Sequence, residues 1–332
     1  MSQKMSVNGW RYARSGPIAT VLKKEAFEVL PQKGQAVVKM VSAPIHRTDA
    51  AVINGTALGR KQVRMAPFPR IGGSEGVGKV VQTGGAAHLK EGDTVWIAPV
   101  NGTWASQVAV DATAVHKIDP KYEKLAVNAS NYLTAQQLLQ GYATLHKGDV
   151  VLQNGGSSAT SLAVSALAKK DGVKVITVAT PGERLEGAKS RHAKYGSSVF
   201  AYNGAGAREV DKVLGKDRVS LYLNGVGGDF FDHFLKKMAL QGHVVSYGAQ
   251  NGFGLNFSAS PIIYNELTMA GFFLPHFLSK LSLAERQTQL DFVLSRLSEE
   301  GFSYPTTPAT LDNLPDTWDT IYVKGGKGVL TF

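Results

Sequence analysis

The chain has 332 residues, of which 43% are hydrophobic and 19% charged, and it contains no cysteine. A chain of this length exceeds a usual single core, so two domains are expected. Without cysteine there is no disulfide, no thiol nucleophile, no cysteine-ligated zinc and no iron–sulfur cluster. No apolar run approaches the roughly 20 residues of a membrane-spanning helix, so we expect no membrane span.

Basic residues outnumber acidic ones and give a formal net charge of +10. They are spread along the chain without a nucleic-acid motif, so nucleic acid binding is not supported and an anionic small ligand explains the balance as well. The residues before Glu25 include Lys and Arg but no acid, a composition seen in mitochondrial leaders. Because 9–13 already read as a strand, any leader is expected to be vestigial or missing. The expected compartment is the mitochondrion, with the cytoplasm as the alternative.

The first 126 residues read as short strands separated by glycine, proline and other turn residues. The predicted strands there are 9–13, 36–41, 76–81, 94–98 and 105–110. They indicate a compact β-rich domain.

From about residue 128, apolar strands alternate with helices, a pattern typical of a doubly wound parallel sheet of the Rossmann type. The predicted strands are 150–153, 173–178, 198–201, 219–223, 243–247 and 267–274, and the predicted helices are 161–170, 183–195, 207–214 and 229–239. A helix at 283–300 and a strand at 328–332 are expected to return to the first domain. The predicted domains are therefore 1–127 with 276–332, and 128–275.

The stretch 149–161 is a strand, a turn of Asn, Gly and Ser, and the start of an alanine-rich helix. The unpaired amides and the dipole of a helix N-terminus favour an anion, so this turn is suited to a pyrophosphate. The spacing G-x-G-x-x-G is absent, because Ala159 and Ser161 stand where later glycines are expected. The turn alone is as compatible with an ordinary strand–helix connection as with a dinucleotide site.

The second strand of this sheet ends at Thr180 without the acidic residue that usually binds the ribose of NAD. Thr180 can bond a 2′-phosphate, and Arg184, Lys189 and Arg191 can supply positive charge, so NADPH is the expected cofactor.

Several segments match the motifs of one family. Residues 43–49 (A-P-I-H-R-T-D) resemble its A-P-I-N-P-S-D, residues 72–77 (G-G-S-E-G-V) resemble G-G-N-E-G-V, and Asn131, Thr134 and Ala135 fit N-x-x-T-A. Further matches lie at 92–93, 102–104, 153–154, 226–228, 247–248 and 271–274. With these segments the chain resembles the zinc-free medium-chain dehydrogenases/reductases, and among them the mitochondrial enoyl thioester reductases. The resemblance implies an α/β fold, with a GroES-like catalytic domain and a Rossmann cofactor domain.

The family's site, carried onto matching positions, implies that Asn131 and Thr134 position the nicotinamide and that the 154–158 turn holds the pyrophosphate. The expected cofactor contacts are Asn131, Thr134, Asn154, Gly155, Gly156, Ser157, Ser158, Ala159, Thr180, Arg184, Arg191, Asn224, Tyr247, Gly248, Phe272, Phe273 and Leu274. Trp104 and Phe277 are expected to wall an apolar substrate pocket.

Two departures from the family concern the chemistry. Where the superfamily's alcohol dehydrogenases bind zinc, this chain has His46, Ser74 and no cysteine, so no metal is expected. Where enoyl thioester reductases have a tyrosine in I-Q-G-x-Y, this chain has Ala57. His46 and Thr56 are the candidate replacements as proton donor, with Asn131 also assigned to the catalytic site.

Three functions remain open on this basis. The first is NADPH-dependent reduction of a 2-enoyl thioester, either enoyl-CoA or enoyl-acyl-carrier protein. The second is an NADPH:quinone oxidoreductase, which needs no positioned acid. The third is a non-catalytic family member that serves as a binding or assembly module. A homodimer is expected, and an acidic acyl-carrier protein would suit the basic chain as a partner.

Overall fold

The structure, a computed structural model, describes residues 4–56, 67–97, 99, 102–228, 230–250, 252, 254–314, 317–318 and 326–332. In these residues the strands are β1 (Met5–Tyr12), β2 (Lys23–Val29), β3 (Gln35–Ile45), β4 (Arg70–Ile71), β5 (Gly76–Gln82), β6 (Thr94–Ile97), β7 (Gln107–Asp111), β8 (Val115–Lys117), β9 (Val150–Gln153), β10 (Lys174–Ala179), β11 (Ser198–Ala201), β12 (Val219–Asn224), β13 (Met238–Ser246), β14 (Thr268–Gly271), β15 (Thr307–Ala309) and β16 (Gly328–Thr331).

The helices in the same part of the chain are α1 (Ile18–Val21), α2 (Arg47–Asn54), α3 (Glu123–Ala126), α4 (Ala129–Gln140), α5 (Ala159–Lys170), α6 (Glu183–Ala193), α7 (Gly204–Leu214), α8 (Phe231–Leu235), α9 (Ser260–Tyr264), α10 (Leu274–Ser279) and α11 (Leu283–Glu299). Short 3₁₀ turns cover Ala112–Ala114 and Pro120–Tyr122. None of these helices combines the length and the apolar character that crossing a membrane requires.

The chain divides into two compact units. The first unit contains Met1–Ser130, Leu278–Leu294 and Pro305–Phe332, and the second contains Asn131–Phe277 and Ser295–Tyr304. The assignment of the substrate to the first unit and of the cofactor to the second stays a prediction.

The first unit is β-rich, and its main sheet is organised around the long strand β3. This strand pairs antiparallel with β5, β7 and β16, so that Ile45 at its end faces Gly328. The side chains of β3, β5 and β6 fill one core together with Trp104, whose side chain is fully buried. The pairing places the residues that follow β3, precede β5 and precede β16 at one end of the sheet.

The second unit contains a parallel sheet with strand order β11-β10-β9-β12-β13-β14. This order reverses beside β9, which is the arrangement of a doubly wound Rossmann sheet whose ligands bind beyond the carboxyl ends of the strands. The α5 helix, which follows β9, is buried from Ala159 to Ala168. The predicted fold class, a β-rich domain with a parallel doubly wound sheet, is confirmed.

Three elements differ from the sequence prediction. The predicted helix 229–239 is only Phe231–Leu235, because Met238 already pairs with Val219 in β13. The predicted strand 267–274 is only Thr268–Gly271 and is followed by α10, which has Pro275, a residue favoured at helix starts, in its first turn. The α4 helix, which carries Asn131 and Thr134, was not predicted.

Candidate active site

The glycine turn that follows β9 lies against the neighbouring strand β10. A Cβ atom on Gly156 would lie 2.5 Å from the Thr177 methyl group, so that only glycine fits here. The Gly156 amide donates to the Val178 carbonyl at 3.0 Å, and Gly155 has a φ of +70°, in the left-handed region. The turn is therefore fixed to the sheet by backbone contacts that the two glycines allow.

Helix α5 begins directly after this turn. The Ser158 side chain caps it by accepting a hydrogen bond from the Ser161 amide at 3.0 Å. Ala159 and Thr160 are the first helical residues, and amides at these positions have no acceptor within the helix. The start of α5 thus provides the amides and the dipole that favour a phosphate group.

The residue that replaces the last family glycine, Ser161, is fully buried. Its hydroxyl oxygen lies 3.0 Å from the Gly155 carbonyl and 2.9 Å from the Ser158 carbonyl. Because its side chain is accommodated inside the turn and bonds the backbone, it does not occupy the face where the helix begins. The departure from the family glycine therefore leaves the turn intact.

Two asparagines join the carboxyl ends of β9 and β12, whose pairing sets Gln153 opposite Leu223. The Asn154 amide group donates to Asn224 at 2.8 Å and to the Tyr222 hydroxyl at 3.2 Å, and its oxygen accepts from the amides of Gly225 and Val226. Each polar atom of the buried Asn154 side chain is engaged in this way. Asn154 and Asn224 thus hold the turn after β12, and we assign them to shaping the site.

Tyr247 and Gly248 follow β13 and lie against the turn after β12. A Cβ on Gly225 would lie 2.7 Å from the Tyr247 ring, and one on Gly248 would lie 2.6 Å from the Gly225 carbonyl. Burial raises the pKa of Tyr247, and a hydrogen bond with Ser158 opposes this shift. The structure therefore brings Ser158, Gly225 and Tyr247 together.

The predicted 2′-phosphate residues lie at the tip of β10 and on α6. Thr180 is exposed, and Arg184 and Arg191 are half-buried. The Arg191 guanidinium carbon is 5.8 Å from the centre of the Tyr304 ring. Its tip folds back over Gly187, where a Cβ would lie only 2.9 Å away. Gly187 is nearer the start of α6 than Arg191 is. This side-chain conformation therefore directs the Arg191 charge toward the carboxyl edge of the sheet.

Asn131 on α4 is also brought to the glycine turn. Its side-chain amide donates to the Thr160 hydroxyl at 2.9 Å, in the first turn of α5. Thr134 lies almost one helical turn further along α4 and is half-buried, whereas Tyr132 is buried against Phe302. Tyr132 therefore packs in the core of the second unit.

The aromatic residues predicted around the site have different surroundings. Phe272 packs against Tyr142 and Phe277, Phe273 is 45% exposed, and Leu274 is buried. Trp104 is fully buried in the first unit, and its indole donates to the Pro44 carbonyl at 3.1 Å. Its ring packs against Gly72 and Gly73, where a Cβ would clash with it. Within the first unit, Trp104 therefore fills the core instead of walling a pocket.

The first unit holds a buried charge cluster of His46, Asp49, Glu75 and Lys327 at the end of its main sheet. Because Gly328 pairs with Ile45, Lys327 comes next to His46. His46 Nε2 is 2.6 Å from Glu75 Oε1, and the Lys327 ammonium hydrogen-bonds His46 Nδ1. The second Glu75 oxygen accepts from the Trp96 indole at 2.8 Å and from the Ser130 amide at 3.0 Å. Asp49 accepts from the His46 amide at 2.7 Å and closes a capping box at the start of α2.

Burial dominates the electrostatics of this cluster. It lowers the pKa of Lys327 to about 8, against the opposing pull of Glu75 and Asp49. Burial likewise raises the pKa of Asp49, while His46 and Lys327 oppose the shift. Both ring nitrogens of His46 are engaged by charged partners. In the described part of the chain, no three His, Asp or Glu side chains form a group that could hold a metal ion.

Thr56, the second candidate proton donor, is exposed, and its hydroxyl lies 3.4 Å from the Ala51 carbonyl. Ala57 lies outside the described residues. Lys327, His192 and Tyr304 are not among the residues predicted from the sequence. The first is 281 positions from His46 along the chain, and none of the three belongs to a recognisable motif.

Comparisons with known proteins match both the first and the second unit of the chain. The family model of the alcohol dehydrogenase GroES-like domain matches residues 32–120, and that of the zinc-binding dehydrogenases matches residues 159–292. The mitochondrial enoyl-[acyl-carrier-protein] reductase of Caenorhabditis elegans is 30% identical over 269 residues, which cover 78% of this chain and 76% of that protein. The chain belongs to the enoyl reductase family of the medium-chain dehydrogenases/reductases.

Solved structures in this superfamily share the fold of the chain. Etr1p from Candida tropicalis, solved with NADP and crotonyl-CoA, has a TM-score of 0.85 at 21% identity and covers 99% of this chain and 100% of its own. A putative NADPH:quinone reductase from Bacillus thuringiensis also has a TM-score of 0.85 at 21% identity and covers 99% of both chains. The chain therefore shares its fold with enoyl and quinone reductases. The predicted family is confirmed by the relative from Caenorhabditis elegans.

Proposed function

We propose that the chain is an NADPH-dependent reductase that acts on the activated C=C bond of a 2-enoyl thioester, carried by CoA or acyl-carrier protein. The observation that carries this proposal is the glycine turn of the second unit, which is fixed to β10 and leads into the N-terminus of a buried helix. The family of the chain supports the substrate class.

The residues of the second unit fit a phosphorylated dinucleotide. The amides at the start of α5 suit the pyrophosphate, and the β10 tip carries Thr180 without an acid that would repel a 2′-phosphate. Arg184 and Arg191 supply positive charge near that tip. Asn131 and Thr134, on one face of α4, are assigned to the nicotinamide, and Phe272, Phe273 and Leu274 to the same end of the sheet. NADPH, when bound, supplies the hydride for the reduction.

The reaction also consumes one proton, which the α-carbon of the substrate accepts. His46 holds its ring nitrogens against Glu75 and Lys327 in a buried cluster, so its proton is committed to a structural hydrogen bond. We therefore assign the donation of this proton to water instead of to a side chain. His46 and Thr56 mark the part of the chain where we expect the proton to be delivered.

The test follows NADPH oxidation by the purified protein with crotonyl-CoA and, separately, with 1,4-benzoquinone. The proposal predicts turnover of crotonyl-CoA with NADPH in preference to NADH. Gly156→Ala is expected to abolish it, because its Cβ would collide with Thr177, whereas Gly204→Ala is the matched control since space is available there. Turnover of the quinone alone, or equal rates for both variants, would contradict the proposal.

Quinone reduction is the second candidate. The family tyrosine is replaced by Ala57, and water can protonate the oxygens of a reduced quinone without help from a positioned acid. The structural neighbour described as a quinone reductase shares the fold equally well.

We also propose a homodimer that pairs through β14. This strand lies at one end of the six-stranded sheet, and Met269 on it is exposed, as are Leu240, Ile263 and Tyr264 nearby in the second unit. An open, apolar edge strand favours pairing with a second copy. Sedimentation that reports only monomer would contradict this.

We further propose a mitochondrial location and an acyl-carrier protein as partner. The relative from Caenorhabditis elegans, a mitochondrial enoyl-[acyl-carrier-protein] reductase, supports both.

A further inference from the structure

The carbonyl groups of the glycine turn share one feature: each lies within hydrogen-bond distance of a side chain of the second unit. The Gly155 and Ser158 carbonyls lie within hydrogen-bond distance of the Ser161 hydroxyl, at 3.0 and 2.9 Å. The Gly156 carbonyl faces His192 Nε2 at 2.8 Å, and the Ser157 carbonyl accepts from the Tyr304 hydroxyl at 2.5 Å. Four consecutive carbonyl oxygens therefore lie within hydrogen-bond distance of a side chain, and the single Ser161 hydroxyl proton serves the Gly155 or the Ser158 carbonyl. These two carbonyls also accept from the amides of Ser158 and Leu162, at 2.9 and 3.2 Å.

A trans peptide plane fixes the amide opposite the carbonyl. When His192 binds the Gly156 oxygen, the Ser157 amide has to point to the other side of the turn. When Ser161 binds the Ser158 oxygen, the same holds for the Ala159 amide. His192 therefore fixes the direction of the Ser157 amide, whereas the direction of the Ala159 amide is set by Ser161 together with the Leu162 amide, which also donates to the Ser158 carbonyl at 3.2 Å.

His192 is well suited to this task because its ring is fully buried and both nitrogens are used. Its Nδ1 lies 2.8 Å from the Ser165 hydroxyl on α5, while Nε2 faces the turn. Burial lowers the pKa of His192 to about 4, and the nearby Arg191 charge acts in the same direction. The ring is therefore neutral at physiological pH, with Nε2 as the donor and Nδ1 as the acceptor.

Further buried hydrogen bonds support the Ser165 side of this contact. The Gln153 amide lies 3.2 Å from the Ser165 hydroxyl, 2.9 Å from the Ser161 carbonyl and 2.9 Å from the Thr177 hydroxyl. The network thus joins β9, β10, α5 and α6 beneath the turn.

Tyr304 approaches the turn from the segment that follows α11. Its ring carries the Arg191 guanidinium on its face, and its hydroxyl reaches the Ser157 carbonyl. Tyr304 therefore fixes one peptide of the turn and one positive charge at once.

We infer that His192 and Tyr304 are positioning residues for the cofactor in the absence of the family glycines. His192 keeps the Ser157 amide aimed at the pyrophosphate, and Tyr304 holds the next peptide, whose Ser158 amide closes the turn onto the Gly155 carbonyl at 2.9 Å. This inference rests on the proposed NADPH function. Neither residue contacts the reacting atoms, and both act through the backbone of 156–157.

The test measures the dissociation constants of NADPH, by nicotinamide fluorescence, and of adenosine 2′-monophosphate, by competition. Adenosine 2′-monophosphate carries the 2′-phosphate but no pyrophosphate, so it reports on the rest of the site. The variants are Tyr304→Phe, which keeps the ring beneath Arg191, His192→Leu, and His192→Gln, whose amide can still donate to Gly156. Tyr195→Phe is the matched control, because its ring stacks on Phe302 and none of the described turn carbonyls is bonded by its hydroxyl.

We expect Tyr304→Phe and His192→Leu each to weaken NADPH binding about three- to tenfold, the effect of one lost hydrogen bond. Binding of adenosine 2′-monophosphate should be unchanged, His192→Gln should recover most of the affinity, and Tyr195→Phe should behave like the unaltered protein. Equal loss for both ligands, or wild-type NADPH affinity in Tyr304→Phe, would overturn the inference and leave the proposed function standing. Failure of the unaltered protein to bind NADPH would overturn both.

Discussion

The hydroxyl of Ser161 lies 3.0 Å from the carbonyl oxygen of Gly155, six residues earlier in the chain. In the family pattern a glycine stands at the position of Ser161, where it permits close packing of helix and strand. Here the serine side chain is fully buried and bonds the turn that the helix follows. A substitution that lowers the match to the dinucleotide fingerprint thus contributes a contact of its own.

Ser161→Ala tests this contact. Loss of the hydroxyl should reduce the free energy of unfolding by about 1 kcal/mol and weaken NADPH binding by a few fold, because the one buried hydrogen bond that it donates to the Gly155 or the Ser158 carbonyl is lost. Urea unfolding and fluorescence titration measure the two effects. Ser190→Ala, at an exposed position on α6, is the control. Unchanged stability and affinity would show that the contact has no energetic role.

The charge cluster of the first unit gives a second prediction. Glu75→Gln removes a negative charge that offsets the buried Lys327 ammonium, and Lys327→Met removes the positive charge that offsets the buried Glu75 carboxylate. Each should therefore cost about 3 kcal/mol of unfolding free energy. The double variant should cost clearly less than the sum, as urea unfolding of the four proteins would show. The exposed pair Lys170 and Glu299 is the control, where Glu299→Gln should cost about 0.5 kcal/mol. Additive losses in the cluster would contradict the coupling.

Two buried histidines predict loss of stability in acid. Burial lowers the pKa values of His116 and His192 from 6.5 to about 4. Between these values the unfolded chain binds more protons than the folded one, so stability is fully present above pH 6.5 and falls as the pH drops toward 4. At about 1.4 kcal/mol per pKa unit, each histidine accounts for roughly 3 kcal/mol.

Urea unfolding between pH 7 and 4.5 measures this slope, and His192→Gln should make it shallower since glutamine does not titrate. The exposed His146 provides a control substitution that should leave the slope unchanged. A pH-independent stability over this range would exclude neutral buried histidines.

His46→Asn addresses the proton donor, and it restores the residue that the family carries in this motif. Because both His46 nitrogens are engaged within the buried cluster, we expect kcat/KM for crotonyl-CoA to stay within about threefold of the unaltered protein. General acids contribute about a hundredfold or more. A loss of that size, in a variant that keeps its melting temperature, would identify His46 as the acid.

Much of the second unit follows from local sequence. Strands 150–153 and 198–201 are short, mainly apolar runs between turns, and both form as predicted. The first is buried throughout, as expected inside a parallel sheet, whereas the second lies at the end of the sheet and is partly exposed. The prediction of a helix up to Ala239 is wrong, because Met238 pairs with Val219 in a strand. This long-range pairing cannot be read from the helical pattern of the local residues.

The same distinction between local and long-range signals applies to the residues of the candidate site and of the charge cluster. The turn around Gly156 is visible in the sequence because its residues are consecutive. The partners of this turn, His192 and Tyr304, are not, because they arrive from other elements through the fold. Lys327 likewise meets His46 only through the pairing of β16 with β3. Long-range contacts between residues of ordinary type leave no pattern along the chain.

The most direct test of the account is titration of the purified protein with NADPH and with NADH, followed by nicotinamide fluorescence. The account predicts a blue-shifted, enhanced signal that saturates with NADPH and much weaker binding of NADH, because the turn is held open for a pyrophosphate and the β10 tip lacks an acid. No saturation with either nucleotide at millimolar concentration would contradict it and would favour a non-catalytic role.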